Sequence, residues 1–270
     1  MSWWGKLAGG AFGFMLGGPL GALLGAALGH NFDKGLDSLG SGDLLGPGEQ
    51  ERVQTAFFTT TFSVLGYLAK ADGRVSRAEI SFAEQVMRQL SMDAAQRKAA
   101  IALFNEGKQA DFPLEGVLRQ FRQECQGRGT LIQLFLEIQI SAVWADGEFS
   151  DAEQRVLETI RRHLRVSEAV FDEIRRRIEA VHGPAAGAAG GARGGADSGL
   201  TPAAAYAILG VDAATPDAEV KKAYRRLLSR HHPDKLVAKG LPEEMMQLAA
   251  RKTHEIKQAY ETIKAYRARS

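Results

Sequence analysis

The feature that most constrains the fold of this chain is an uncharged apolar segment near its amino terminus, residues 7–29. As a helix, these 23 residues would be about 34 Å long, which is enough to cross a hydrocarbon core of about 30 Å. Trp3 and Trp4 precede the segment, where interfacial indole rings belong. The segment therefore predicts a transmembrane helix that anchors the chain.

Glycine recurs at every fourth position of this segment. The six glycines are Gly9, Gly13, Gly17, Gly21, Gly25 and Gly29. On a helix they form a strip without side chains, which lets two helices pack backbone on backbone in lipid. We therefore predict a homodimer through the anchor. A cleaved signal peptide is one alternative, but Lys6 is the only basic side chain before the segment and Pro19 interrupts it. A buried soluble helix is the other, and it is not expected because each glycine weakens a helix in water by about 1 kcal/mol.

The distribution of glycine divides the rest of the chain. Of 30 glycines, 14 lie in residues 1–48 and 7 in residues 183–199, which leaves 9 for the other 205 residues. We assign residues 1–48 to the anchor with a polar linker and residues 183–199 to a flexible linker, because a Gly/Ala-rich stretch cannot bury a core. Helical periodicity in residues 49–182 and residues 200–270 predicts two further domains and an all-α protein.

Residues 49–182 contain an internal repeat. Residues 71–79 match residues 145–153, and both copies share Ala-Asp-Gly, an apolar residue and Ser-x-x-Glu. Ser-x-x-Glu is the signature of a capping box at a helix start. Each copy follows an apolar helix, so the repeat predicts two helix-turn-helix units that pack as a pseudo-symmetric bundle. The pattern resembles the TerB-like domain, an all-α fold with two such hairpins.

Each turn of the repeat also carries a pair of carboxylates, Asp72 with Glu79 and Asp146 with Glu153. An EF-hand is excluded, because the first two ligand positions of a calcium loop are occupied by Leu and Lys in one copy and by Ala and Trp in the other. In the TerB-like family such turns are suspected metal or partner sites. Two interpretations therefore stay open: turns with helix caps, or a cation site in a stress-response protein.

Residues 200–270 carry a net charge of +5, whereas the first 199 residues net −3. Thr201-Pro202 and Thr215-Pro216 are typical helix starts. The apolar spacing predicts a short first helix, a basic second helix near residues 217–230 and a long third helix. Pro233, in the connection His232-Pro233-Asp234-Lys235, is expected to stop the second helix and display the motif on an exposed loop.

Four blocks in this region resemble a J-domain, in register with one another. They are Tyr206-x-x-Leu209-Gly210-Val211, Val220-Lys221-Lys222-Ala223-Tyr224-Arg225-Arg226-Leu227, His232-Pro233-Asp234-Lys235 and Glu255-Ile256-Lys257-Gln258-Ala259-Tyr260-Glu261. The resemblance implies that this module docks on a DnaK-type chaperone and stimulates its ATP hydrolysis. It implies no cofactor and no bond chemistry by the chain itself, so the chain is not expected to be an enzyme.

The resemblance also assigns the residues of the DnaK-binding surface. They are His232, Pro233, Asp234, Lys235, Tyr224, Lys221, Arg225 and Arg226. It implies that Asp234 pairs with an arginine of the partner, that the basic side chains of the second helix meet an acidic patch, and that Tyr224 adds an apolar contact. Nucleic acid is not expected as a partner, because the basic helix has no series of aromatic side chains for stacking.

The order of anchor, TerB-like domain, linker and J-domain resembles that of membrane-anchored DnaJ-like co-chaperones along essentially the whole chain. The resemblance implies a single-pass protein of the bacterial inner membrane with its bulk in the cytoplasm, and a link to envelope or capsule regulation. A membrane tether with a degenerate J-domain is the alternative. The single cysteine, Cys125, and the isolated His163 and His182 form no catalytic constellation.

Overall fold

A computed structural model describes residues 17–29, 48–90, 92–145, 150–182, 200–238 and 246–269. Within these ranges every regular element is an α-helix, and there are twelve of them. The first eight, α1 to α8, are Gly18–Gly29, Glu49–Ala69, Arg77–Gln89, Ala94–Gly107, Leu114–Glu124, Gly129–Val143, Asp151–His163 and Glu168–His182. The last four, α9 to α12, are Pro202–Leu209, Asp217–His231, Pro233–Val237 and Met246–Arg267. The prediction of an all-α protein is confirmed for the described part of the chain.

The long helix α2 lies at the centre of the first domain. Sixteen of its 21 residues are buried, because α4, α5 and α6 all pack against it. Its apolar side chains meet those of the neighbouring helices in an aromatic series, with the rings of Phe57 and Phe121 at 6.0 Å and those of Phe121 and Phe135 at 4.9 Å. Burial of these rings together with the other apolar side chains of the core stabilises the domain.

Two glycines let α2 and α4 approach each other closely. A Cβ atom on Gly66 would lie 1.9 Å from the carbonyl oxygen of Phe104, and one on Gly107 would lie 1.8 Å from the carbonyl oxygen of Ser63. Real Cβ atoms are not found so close to a backbone oxygen. The crossing of the two helices therefore requires glycine at both positions.

The internal repeat forms the two helix-turn-helix units that the sequence predicts, α2 with α3 and α6 with α7. Both capping boxes are present. The hydroxyl of Ser76 accepts from the amide of Glu79 at 3.1 Å, and the hydroxyl of Ser150 accepts from the amide of Glu153 at 3.2 Å. Gly73 has a φ of +92°, which explains the glycine in the first turn.

Helix α1 is the described part of the predicted anchor. Gly17 and Gly18 have φ values of +55° and +58°, outside the right-handed helical region, and the helix begins at this point. Three leucines of α1 are buried because the helix packs against α4 and α5; they are Leu20, Leu23 and Leu24. The amide of Leu20 donates to Oε1 of Gln120 on α5 at 2.9 Å.

None of the helices among the described residues combines the length and the apolar character that a membrane crossing needs. Residues 7–16, with Gly9 and Gly13 of the glycine strip, lie outside the described residues. Within the described part of the strip, Gly17 and Gly25 face open space, with nothing within 4 Å of a Cβ atom placed on them. The self-association of the strip stays a prediction.

Helices α9 to α12 form a second domain with its own apolar core. The core residues are Ala205, Tyr206, Ile208, Leu209, Val220, Leu227, Ile256, Ala259 and Ile263. Thr201 caps α9 as predicted, since its hydroxyl accepts from the amide of Ala204 at 3.3 Å. The start of α10 differs from the prediction: Pro216 takes the capping position, and the hydroxyl of Thr215 instead accepts from the amide of Asp212.

Candidate functional site

The His232-Pro233-Asp234 motif, hereafter the HPD motif, lies between α10 and the short helix α11. Helix α10 ends at His231, and His232 follows with an extended backbone at φ −62° and ψ 125°. Pro233 is the first residue of α11, where its fixed φ suits the helix and no amide hydrogen is needed. The motif thus stops the second helix as predicted, but it opens a short helix where the sequence predicted a loop.

The side chains of the motif differ in their exposure. Asp234 is 86% exposed, whereas His232 is 45% exposed, and Nδ1 of His232 lies 3.8 Å from Oδ2 of Asp234. The ammonium group of Lys235 donates to the hydroxyl of Ser229 at 2.6 Å, which ties α11 back to α10. The carboxylate of Asp234 faces solvent at the start of this short helix.

The basic residues of α10 that belong to the predicted binding surface are also exposed. Lys221 and Arg225 are one turn apart, so they lie on the same face of the helix. Tyr224 beside them is half-buried, because its ring stacks on that of Tyr260 with centroids 4.2 Å apart and an angle of 13° between the planes. The guanidinium of Arg226 instead donates to Oε1 of Glu173 on α8 at 3.4 Å.

A buried polar cluster lies directly behind the motif. Its members are Glu137 on α6, Arg177 on α8 and His231 at the end of α10. The guanidinium of Arg177 donates to Oε1 of Glu137 at 2.9 Å, and Nε2 of His231 lies 3.5 Å from the same oxygen. All three side chains are at most 6% exposed. The cluster therefore joins the two domains through groups that seldom lie so deep in a protein.

Burial decides the charge states in this cluster. It lowers the pKa of His231 to about 4, even though Glu137 pulls in the opposite direction. Burial alone would raise the pKa of Glu137, but the cationic form of His231 and the guanidinium of Arg177 outweigh it, so this pKa is lowered. At neutral pH the cluster is therefore an ion pair of Glu137 and Arg177 beside a neutral imidazole.

The sequence pattern did not predict this cluster, although it contains one signal of it. Glu137 interrupts a helix that is otherwise apolar on nearly all sides. An acidic residue in such a helix needs a cationic partner, because an unpaired buried charge is very costly. The identity of the partners did not follow from the pattern, since they come from α8 and α10.

Thr253 on α12 makes a specific contact with the end of α10. It is 8% exposed, and its hydroxyl donates to the backbone carbonyl of His231 at 3.0 Å. That carbonyl belongs to the last turn of α10 and has no partner within the helix. Thr253 thus fixes α12 to the residue that immediately precedes the HPD motif.

The three described carboxylates of the repeat bind nearby backbone amides. Oδ1 of Asp72 accepts from the amide of Arg74 at 2.9 Å, while Glu79 and Glu153 complete the capping boxes. Asp146 lies outside the described residues. In the part of the chain that the structure describes, no three acidic, histidine or cysteine side chains come close enough together to hold a metal ion.

Cys125 is fully buried, and burial raises its pKa to about 12. It is therefore a protonated thiol at neutral pH, without the thiolate that a nucleophile needs. His163 lies on α7 with Nε2 at 3.4 Å from Oε2 of Glu115, which is an ordinary surface contact. His182 is the last residue of α8, and its side chain lies outside the described part.

Comparisons with known proteins match the whole chain. Three family models match in order: the co-chaperone DjlA transmembrane domain over residues 1–39, tellurite resistance protein TerB over residues 59–176, and the DnaJ domain over residues 204–270. A co-chaperone protein DjlA of Coxiella burnetii is 43% identical over 271 residues, which is 99% of both chains. Those of Escherichia coli and Yersinia pestis are 43% and 42% identical, over 98% of each chain.

No solved structure matches the chain. The three matched domains follow one another in the order that the sequence predicted, and the curated relatives agree with this chain from end to end. The chain therefore belongs to the DjlA family of co-chaperones, with a transmembrane, a TerB and a J domain.

Proposed function

We propose that this chain is a membrane-anchored co-chaperone that recruits a DnaK-type chaperone and stimulates its ATP hydrolysis through the HPD motif. The observation that carries the proposal is the position of Asp234. Its carboxylate is 86% exposed in the first turn of α11, directly after the basic helix α10. An exposed carboxylate at this position suits a charge-assisted contact with an arginine of the partner.

The charge distribution supports the same partner. The J-domain carries the net charge of +5 while the rest of the chain is negative. Lys221 and Arg225 project from one face of α10, so an acidic patch on the partner would be attracted to this face. Such complementarity raises the rate of encounter more than the final affinity.

The test is the ATPase rate of a purified DnaK-type chaperone with and without the full chain in detergent. Asp234→Asn removes the charge and keeps the shape, so we expect stimulation to fall more than tenfold, which corresponds to roughly 1.4 kcal/mol or more. Glu261→Gln is the matched control, because it removes an exposed carboxylate on α12 that pairs only with Lys264 among the described residues. Equal stimulation by Asp234→Asn and wild type would contradict the role of the HPD motif. Absence of stimulation by wild type would instead favour a tether with a degenerate J-domain.

We further infer a single-pass arrangement in the bacterial inner membrane, with residues 49–270 in the cytoplasm. The match of residues 1–39 to the DjlA transmembrane domain supports an anchor, and a DnaK-type partner requires the J-domain on its own side of the membrane. A reporter enzyme that is active only in the periplasm, fused to the carboxyl terminus, should be inactive. A reporter fused before Trp3 should be active, and the reverse pattern would contradict this topology.

The glycine strip supports association of two anchors in the membrane. Gly13→Leu would place a branched side chain on the strip, so we expect chemical cross-linking of dimers in membranes to be lost. Gly10→Leu is the matched control, because Gly10 lies off the four-residue repeat. Dimers that survive Gly13→Leu would show that the interface lies elsewhere.

The link to envelope or capsule regulation is also part of this proposal and follows from the resemblance alone.

A further inference from the structure

The J-domain does not stand apart from the TerB domain in this structure. Helix α8 packs along α9. Leu236 on α11 and Ala249 on α12 are fully buried and belong to the apolar core of the TerB domain, separate from the core of the J-domain itself. The surface next to the HPD motif is therefore covered by the chain's own central domain.

Charged groups reinforce this contact at its edge. Glu173 on α8 lies 3.4 Å from the guanidinium of Arg226. It also faces Arg230, whose pKa is lowered because it is half-buried, an effect that Glu173 opposes. The carboxylate of Glu173 thus interacts with two cations of α10. One of them, Arg226, belongs to the proposed chaperone-binding surface.

At the centre of the contact, several buried polar atoms lack a hydrogen-bond partner among the described residues. Within the described part of the chain, Oε2 of Glu137, Nε of Arg177 and both ring nitrogens of His231 are buried without a hydrogen-bond partner. Such groups lose their hydration when the domains meet and regain it when they part. The contact therefore combines apolar burial with an opposing cost of desolvation, which suits a surface that opens and closes.

We propose that the surface formed by α6 and α8 of the TerB domain, with Glu137, Glu173 and Arg177, is a docking surface for the J-domain of the same chain. The docked J-domain stimulates the chaperone less than the released one. This inference rests on the proposed function. While Arg226 is paired with Glu173, the basic face of α10 meets an acidic partner with one cation fewer. The Gly/Ala-rich composition of residues 183–199 predicts a link long enough to permit release, with an average span of roughly 20–25 Å.

Docking is tested first by a distance measurement that needs no chaperone. Spin labels are attached to cysteines at two exposed positions of the full chain, Gln154 on α7 and Lys222 on α10; Cys125 is buried and protonated and does not compete. Wild type should give one narrow distance distribution. Glu173→Lys should broaden it, whereas Glu179→Lys, the same change at an exposed position of α8, should leave it narrow. A broad distribution in wild type would overturn the inference.

Two further variants make the distance test specific. Adding Arg226→Glu to Glu173→Lys restores an opposite pair and should narrow the distribution again. Ala207→Arg puts a long side chain on α9 in the crevice lined by Glu173, Arg176 and Arg177. Its bulk and its repulsion by the two arginines should release the J-domain while Glu173 is kept. Narrow distributions in both Glu173→Lys and Ala207→Arg would show that this surface does not hold the J-domain.

The regulatory part is tested by the concentration of full chain that gives half-maximal ATPase stimulation. Glu173→Lys should lower it by up to about fivefold, the scale of one exposed ion pair, while Glu179→Lys should leave it unchanged. A released J-domain with unchanged or weaker stimulation would overturn the inference and leave the proposed function intact. Failure of the proposed function is distinguishable, because wild type itself would then stimulate nothing while the distance results still stand.

Discussion

The crossing of α2 and α4 allows a quantitative prediction for Gly66→Ala. The new Cβ atom would lie 1.9 Å from the carbonyl oxygen of Phe104, whereas ordinary contact needs about 3.5 Å. The clash involves backbone on both helices, so no change of rotamer can relieve it. The two helices must therefore separate by about 1.5 Å at this point.

The cost follows from that separation. Overpacking a core usually destabilises by about 1–3 kcal/mol, and a backbone clash belongs at the upper end. The gap that opens beside the clash adds about 1 kcal/mol for each 40 Å³ of void. Alanine has a higher helix propensity than glycine, which offsets about 1 kcal/mol of this loss of stability. We expect a net loss of about 3 kcal/mol in the free energy of unfolding, or a fall in Tm of roughly 6–12 °C for a domain of this size.

The assay is thermal unfolding of the full chain in detergent, followed by circular dichroism. Gly129→Ala is the matched control, since Gly129 is exposed at the start of α6 and a Cβ atom there meets nothing within 4 Å. Its Tm should stay within a few degrees of wild type. Gly107→Ala forces the same separation as Gly66→Ala, so the double variant should lose less than the two single losses combined. A Tm for Gly66→Ala equal to that of the control would refute the reasoning.

Three other predictions concern the described contacts. Because the pKa of His231 is lowered to about 4, the folded protein binds fewer protons than the unfolded chain between about pH 4 and 6.5; stability should therefore fall by about 1 kcal/mol from pH 7 to 5.5, and urea midpoints at the two values should differ less in His231→Gln. Thr253→Val removes the 3.0 Å hydrogen bond to the carbonyl of His231 and should destabilise the J-domain by about 1 kcal/mol, measured by hydrogen exchange of α12; wild-type exchange rates would contradict it. Ser76→Ala deletes one capping box and should cost about 1 kcal/mol, whereas no shift in the urea midpoint would mean that Glu79 alone sustains the cap.

The features that the sequence predicted well are those that depend on neighbouring residues. The capping boxes at Ser76 and Ser150 and the break at Pro233 each involve groups within four positions of one another, so pattern and structure agree. The capping position of α10 was misplaced by one residue: Pro216 takes it, and the hydroxyl of Thr215 accepts from the amide of Asp212 instead. Boundaries of this kind depend on small differences between competing local hydrogen bonds.

The features that the sequence could not predict depend on contacts between distant segments. The spacing around Gly66 resembles that of any helix, and its role becomes visible only when α4 crosses above it. Likewise, the HPD motif predicts a surface for an external partner, but it carries no information about the contact of His231 with Glu137. Periodicity tells which face of a helix is buried and does not tell which element buries it.

The packing of α1 has a consequence for the biogenesis of the protein. While residues 18–29 lie against α4 and α5, only residues 7–17 remain of the uncharged segment, and as a helix these 11 residues measure about 17 Å, little more than half of a hydrocarbon core of about 30 Å. In this structure, protein covers Leu20, Leu23 and Leu24. These leucines cannot stay covered in this way while the whole segment spans lipid. Insertion of the whole segment into the bilayer therefore requires α1 to leave α4 and α5. The same step exposes the surface of these two helices that covers Leu20, Leu23 and Leu24.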